Sequence, residues 1–247
     1  MRRNLIVFLI LGLAIGGAYL LRHRLPDPIA TPLGLRPPVS EVRAAQTPVL
    51  TTALGEQGLT FGAPVYLRVF KEEAELELWV QTGDRFRLFK TYPICNYSGH
   101  LGPKLKEGDR QSPEGFYRVY KSSLNPDSRF HLSFNLGFPN RFDRAQGRTG
   151  SYLMIHGDCV SVGCYAMTDA GIEEIFVLVE AALRSGQSFV PVHAFPFRMT
   201  NQRMTQAKDN TWLPFWQDLM PAYVEFEESQ VPPQISVKNG RYDVSLR

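Results

Sequence analysis

Three side chains able to do nucleophilic or metal chemistry crowd into one short run, Tyr152-Leu-Met-Ile-His156-Gly157-Asp158-Cys159-Val-Ser161-Val-Gly163-Cys164. A thiolate is a strong nucleophile, and a neighbouring imidazole can take the proton from its thiol. The apolar residues before His156 read as a strand that delivers the imidazole, and Gly157 follows at its end. The Ser161-Val162-Gly163-Cys164 turn then leads towards a segment of helical periodicity. That order places Cys164 near a helix N-terminus, where unpaired N–H groups favour anions, and predicts a thiol pKa below its usual ~8.5. The N–H groups of Gly163 and Cys164 are the expected receivers of a developing oxyanion. Ser161 reads as a turn or capping hydroxyl that shapes the site.

Other chemistries compete for the same residues. His156, Cys159 and Cys164 are potential metal ligands, but a structural zinc site needs a fourth ligand and a paired spacing that this run lacks. Cys159 and Cys164 do not have the Cys-x-x-Cys spacing of thiol-redox proteins. The chain has three cysteines, so an oxidising compartment leaves at least one unpaired or linked to another chain. A Cys95–Cys159 bond would free Cys164, whereas a Cys159–Cys164 bond would silence it, and spacing does not choose between them. His131 and His193, on apolar segments, read as structural.

The elements that must position this run are mostly strands. Period-two spacing marks Val65, Leu67 and Val69, then Leu76, Leu78 and Val80, then Phe86 and Leu88, with Gly83-Asp84 at a hairpin turn. Further strands are expected at residues 115–120, 131–136, 152–156 and 189–194. A last hairpin is expected over 235–244, around Asn239-Gly240. One helix is expected over residues 170–184, where Ile172, Ile175, Phe176, Val179 and Leu183 recur at helical spacing. Thr168 or Asp169 would cap its start, and Gly186 stands past its end. Trp212, Phe215 and Trp216 suggest a short helix packed on the body. The fold class is mainly β and mostly antiparallel, with a few helices.

The 247 residues are 44% apolar and 21% charged, ordinary globular usage that argues against global disorder and a polytopic membrane protein. The formal charge of +3 comes from the N-terminus. Residues 1–25 hold four arginines and no acid, leaving 23 basic against 24 acidic residues in the body. A nucleic-acid partner is therefore not expected, because no basic face is available to neutralise phosphates. An apolar run over residues 5–21 follows Arg2-Arg3 and reads as an uncleaved signal anchor in the inner membrane, ahead of a cleaved signal. The body is then expected outside the cytoplasm. Six prolines between Pro26 and Pro48 predict a stiff, extended tether. The expected organisation is anchor over 1–25, linker over 26–56, main domain over 57–200 and packed extension over 201–247.

The strand-His156-Gly157 element followed by Ser161-Val162-Gly163-Cys164 resembles the L,D-transpeptidase (YkuD-type) catalytic domain of bacterial cell-wall enzymes. The stretch from Glu107 to Tyr117, with Ser112-Pro113-Glu114-Gly115, is similar to that family's threonine-proline-x-glycine lead-in. Gly102-Pro103-Lys104 and Phe138-Pro139-Asn140-Arg141-Phe142-Asp143 look most like one branch of envelope proteins within it. The resemblance covers residues 62–195. It implies a β-sandwich-like or barrel-like catalytic fold, with Cys164 as nucleophile and His156 as base and acid. It implies a backbone carbonyl as the imidazole's support, and neither cofactor nor metal. The implied donor is a peptidoglycan stem peptide, attacked at the carbonyl between meso-diaminopimelate and a terminal D-amino acid. His100, Lys104, Asn140 and Asp143 are candidates to line the substrate groove, against solvated loop positions as the plainer reading.

This sequence departs from the family pattern in three places. Val162 stands where the family usually has His, Ala166 where it commonly has Arg, and the interval from His156 to Cys164 is shortened. Nucleophile and base are kept, but the pocket changes. Transfer to an amine and hydrolysis are both open, including cleavage of links between peptidoglycan and a wall-linked lipoprotein. A non-catalytic wall-binding module is the alternative from another class.

Overall fold

The computed structural model describes residues 36–245. The expected anchor and the start of the expected linker lie outside the described residues. Among the described residues no helix is long and apolar enough to cross a membrane.

Two five-stranded mixed sheets organise the chain. The first runs β3 (Arg85–Pro93), β2 (Glu75–Thr82), β1 (Val65–Phe70), β10 (Val190–Phe195), β5 (Gly115–Val119). The second runs β4 (Asn96–Tyr97), β9 (Tyr165–Ala166), β8 (Met154–His156), β7 (Ser133–Asn135), β6 (Leu124–Asn125). Each holds one parallel pairing, β1 with β10 and β8 with β9, and is otherwise antiparallel. The helices are α1 (Val39–Glu56), α2 (Arg141–Ala145), α3 (Asp169–Arg184), α4 (Asn201–Gln206) and α5 (Leu213–Ser229). A separate hairpin joins β11 (Gln234–Lys238) to β12 (Arg241–Ser245). Its turn takes positive φ at both Asn239 and Gly240, as a tight two-residue turn requires.

One core lies between the first sheet, α3 and the second sheet. Leu67, Val69 and Val192 meet Ile172, Phe176 and Val179 of α3, with Phe134 and Ile155 from the second sheet. Of the two candidate caps of α3 it is Thr168 that serves, accepting from the N–H of Gly171, and Asp169 is the first helical residue.

Two features differ from the sequence expectation, and both involve proline. The extended tether expected through residue 56 is helical from Val39 onward. Pro38 sits outside the helix as its N-cap, in extended conformation, while Pro48 lies within the helix. An interior proline costs ~3 kcal/mol, which is offset here by packing. Leu50 and Leu54 are buried in the main core, and Arg43 forks onto Glu180 of α3 through two hydrogen bonds of 2.5 and 2.6 Å. Likewise the short tail helix is the 17-residue α5, with Pro221 in its interior.

The second feature explains why β1 is buried along its whole length rather than on one face. Tyr66, Arg68 and Phe70 point away from the main core and are covered by α5. Tyr66 meets Phe226 at 4.8 Å between ring centres. The Arg68 guanidinium lies over Phe70, Tyr223 and Phe226 and pairs with Glu77 and Glu227. A second cluster with Phe195, Phe197 and Trp216 fills the rest of this face.

A buried ion pair joins this second layer to the site. Lys71 and Glu114 are both fully buried, 3.1 Å apart. The Lys71 ammonium also donates to the carbonyls of His100, Gly102 and Ser112, at 2.8, 3.0 and 3.0 Å. Glu114 accepts from the Gly102 N–H and from the Trp216 indole of α5. Removing one partner leaves the other charge uncompensated in a dry interior, which costs about 3–5 kcal/mol. Glu114→Leu should therefore lower the unfolding free energy by that amount in chemical denaturation. The double change Lys71→Met/Glu114→Leu should recover much of the loss.

Candidate active site

The pairing of β8 with β9 sets the two candidate residues, His156 and Cys164, at neighbouring strand ends. Ile155 aligns with Tyr165 and His156 with Ala166 in a parallel ladder. Side chains alternate along a strand, so the register continues to Met154 opposite Cys164 and sets His156 and Cys164 on one face. The contacts agree: the Met154 N–H points at Cys164 Sγ at 3.4 Å, and Sγ reaches the Tyr152 carbonyl at 3.7 Å. Among the described residues no hydrogen bond joins Sγ to His156. Apo catalytic contacts are often long and tighten only with substrate.

The imidazole is held from two sides. His156 Nδ1 lies 2.6 Å from the Gly157 carbonyl, which can only accept, so Nδ1 carries the proton and Nε2 is the acceptor. Phe130 packs on the ring at 5.0 Å between centres. Gly157 is required here by close approach rather than by φ. A Cβ at this position would lie 2.5 Å from Asp169 Oδ1 and 3.1 Å from Ile172 Cγ2.

The thiol turn is braced by three serines. Ser112 and Ser161 both donate to the Cys164 carbonyl, at 2.7 and 2.8 Å. Ser98 shares a 2.8 Å hydrogen bond with Ser161 and accepts from the Gly163 N–H at 2.8 Å. Ser161 is thus a shaping residue, as expected. Ser98 and Ser112 carried no sequence signal beyond the position of Ser112 in the lead-in stretch.

Cys95 and Cys159 form a disulfide, leaving Cys164 as the free cysteine. The bond removes Cys159 from any thiolate ligand set and leaves no Cys159–Cys164 bond to silence the site. It ties β4's start to the loop after His156. Arg36 adds a second tie to the same loop, through ion pairs of 3.0 Å to Asp158 and 3.2 Å to Asp169.

Several expectations are corrected. Cys164 does not open a helix: β9 follows it directly, and α3 begins only at Asp169. Without that dipole, burial dominates and pushes the Cys164 thiol up, with the Met154 N–H and the Lys104 charge pulling partly the other way. Burial likewise pushes His156 down, against the Gly157 carbonyl and the charges of Asp158 and Asp169. Both directions favour a neutral thiol beside a neutral imidazole over a preformed thiolate. The Gly163 N–H is already committed to Ser98, so it is not aimed at an oxyanion.

The proposed groove residues separate as well. Asn140 caps α2 by accepting from the Asp143 N–H, and its amide donates to the Phe116 carbonyl and the Tyr242 hydroxyl. Asp143 is fully buried and paired with Arg148 at 2.8 Å. Both hold the fold together; Asp143 lines no groove, whereas Asn140 also lines a cleft beside β5, away from the thiol turn. Lys104 is buried against Asp109, with its charge felt at the thiol. His100 is exposed, and its backbone serves Lys71 and Gln111. The structural histidines behave as expected, His193 against the Tyr66 hydroxyl and His131 against Glu173.

A mixed-sheet domain presents a carbonyl-supported histidine on β8 and a free cysteine just before β9, and sequence comparison identifies its class. The family profile of the YkuD L,D-transpeptidase catalytic domain matches residues 64–193, and the chain belongs to that family. It is 54% identical over 184 residues to YafK of Escherichia coli strain K12, spanning 74% of this chain and 75% of that one. Among solved structures, it is similar to the helical cell shape determining protein Pgp2 of Campylobacter jejuni. That match has 19% identity and a TM-score of 0.43, over 76% of this chain and 80% of that one. For a variant of Pgp2 the values are 20%, 0.45, and 70% of this chain against 62% of that one. Bd1075 of Bdellovibrio bacteriovorus matches at 19% identity and TM-score 0.41, over 72% and 78%.

Two outcomes follow from the geometry. Iodoacetamide should alkylate Cys164 slowly at neutral pH, with a rate that rises to a midpoint above the ordinary thiol range. A neutral-pH plateau in the rate would instead mean a preformed thiolate. Gly157→Ala should unfold at lower denaturant, by ~1–3 kcal/mol for an overpacked site, and should lose most activity because the loop carrying His156's supporting carbonyl must shift.

Proposed function

We propose that this chain is a cysteine acyl-transfer enzyme that acts on peptidoglycan stem peptides through a thioester. The observation that carries this reading is the β8–β9 register, which sets Cys164 and His156 on one face with the imidazole's Nε2 left as a proton acceptor. Sγ attacks the carbonyl between meso-diaminopimelate and the terminal D-amino acid, and the thiol proton moves to His156 Nε2. The C–N bond breaks, and the departing amine takes that proton. An amine or water then resolves the thioester, with the imidazole again acting as base. With Gly163 committed to Ser98, the N–H of Cys164 is the remaining oxyanion donor expected of the turn. Lys104 supplies positive potential while the sulfur is charged.

The hydrolytic variant is a second reading, favoured by what surrounds the thiol. Val162 and Tyr152 are 77% and 75% exposed, so the entrance stays open to water. Ala166, which stands where the family pattern has Arg, is fully buried and offers no ligand for a substrate carboxylate. Cleavage of links between peptidoglycan and an attached lipoprotein falls within this variant. A membrane anchor over residues 5–21, with the body in the periplasm, completes the proposal and is supported by the Cys95–Cys159 bond, since disulfides persist in oxidising compartments.

Cys164→Ala should abolish turnover of muropeptides while leaving the unfolding transition in place. Incubating the protein with intact sacculi and weighing the products separates the outcomes. New cross-links indicate transfer, and released stems or lipoprotein peptides indicate hydrolysis. An unchanged sacculus that retains the protein indicates a binding module and overturns the enzymatic reading. In kcat/KM, the acid limb should fall below the ordinary imidazole value of about 6.5, because neutral His156 is the active form and its pKa is lowered.

A further inference from the structure

A cleft of about 950 Å³ lies along the outer edge of β5, lined by none of the residues that hold or brace the thiol. Its walls come from β5, α2, the segment before β10 and the β11–β12 hairpin. Three arginines line it, Arg118, Arg141 and Arg144, and no aspartate or glutamate does. All three are exposed, and none forms an ion pair among the described residues. Arg118 is stacked on Phe189 at 4.5 Å and donates to the Ile235 carbonyl, which holds its guanidinium in place.

The backbone beside these charges keeps one position with no main-chain hydrogen-bond partner among the described residues, Arg118. β5 ends the first sheet, and its other side pairs only with β10. Phe116 faces outward, its N–H meeting the Tyr242 hydroxyl and its carbonyl accepting from Asn140. Antiparallel pairing alternates, so Arg118, two residues further, also directs its N–H and carbonyl outward. Pro191 opposite Arg118 agrees, because a proline has no N–H to give to that pair.

We propose that this cleft binds an extended, carboxylate-bearing peptide, which pairs by its main chain with Arg118 and sets its acidic groups against the three arginines. An exposed sheet edge supplies main-chain hydrogen bonds, and flanking pockets select side chains. Guanidinium groups suit carboxylates by their paired donors. A second peptide of the wall polymer has this chemistry, and the proposal rests on the functional reading above only for that source. Engaging one stem peptide here while Cys164 works on another would hold the enzyme on its substrate.

The test uses the full chain and a dansylated L-Ala-D-Glu-meso-diaminopimelate-D-Ala tetrapeptide, with Cys164 capped by a bulky maleimide so that only binding away from the thiol is read. Fluorescence titration should show binding to the capped protein. Binding should weaken roughly tenfold in Arg141→Glu/Arg144→Glu, as loss and reversal of two charge contacts implies, and weaken similarly when the peptide's carboxylates are amidated. Alkylation of Cys164 in the uncapped double variant should proceed at the wild-type rate. Binding abolished by the cap, binding indifferent to the arginines, or displacement by a neutral chitin oligomer would each overturn the proposal. Arginine-dependent binding with no muropeptide turnover by the uncapped wild type would keep the cleft and reject the enzymatic reading instead.

Discussion

The parallel pairing of β8 with β9 is the constraint on which the site depends. Both strands are short, three and two residues, yet their register decides that Cys164 and His156 share a face. A slip of one residue would turn the sulfur towards the core. The surrounding bonds act against such a slip. Two serine hydroxyls grip the Cys164 carbonyl, the Met154 N–H meets the sulfur, and Ile155 anchors β8 in the main core. These contacts belong to backbone as much as to side chains.

The bracing extends outward through the segment that carries Ser112. Two residues beyond it stands Glu114, fully buried against Lys71 and reached by the Trp216 indole from α5. The C-terminal helix thus takes part in setting the thiol turn, although it lies on the other face of the first sheet. Reading α5 as a mere extension would miss that it closes the only charge pair in this interior whose two side chains are both fully buried among the described residues.

Strands and the central helix were legible in the sequence because their signal is local. Leu67 and Val69 alternate, Ile172 and Phe176 recur at helical spacing, and Thr168 caps where a threonine should. The candidate nucleophile and base were legible too, from the residue types flanking a Gly. What escaped the sequence was non-local. Pro48 and Pro221 weaken the helical pattern of α1 and α5, and only packing against α3 and β1 restores it. The thiol's protonation depends on whether a helix follows at once, and the two residues of β9 decided that it does not. Asn140 and Asp143 were read as groove residues from a motif stretch, yet both are tied into the fold, and Asn140 lines the cleft beside β5 rather than the thiol turn. Their partners, Tyr242 and Arg148, lie where no local pattern points. Ser98 reaches the turn from 65 positions away in the chain.

Pairing Cys95 with Cys159 also settles the molecule's sulfur chemistry. A thiol-directed reagent that meets the folded, oxidised chain encounters one free thiol, although the sequence offers three cysteines. The stoichiometry of a thiol-selective label is therefore one per chain, and that label reports on a single place. The fold comes with its own unique chemical handle, installed by the same oxidation that fastens the loop beside it.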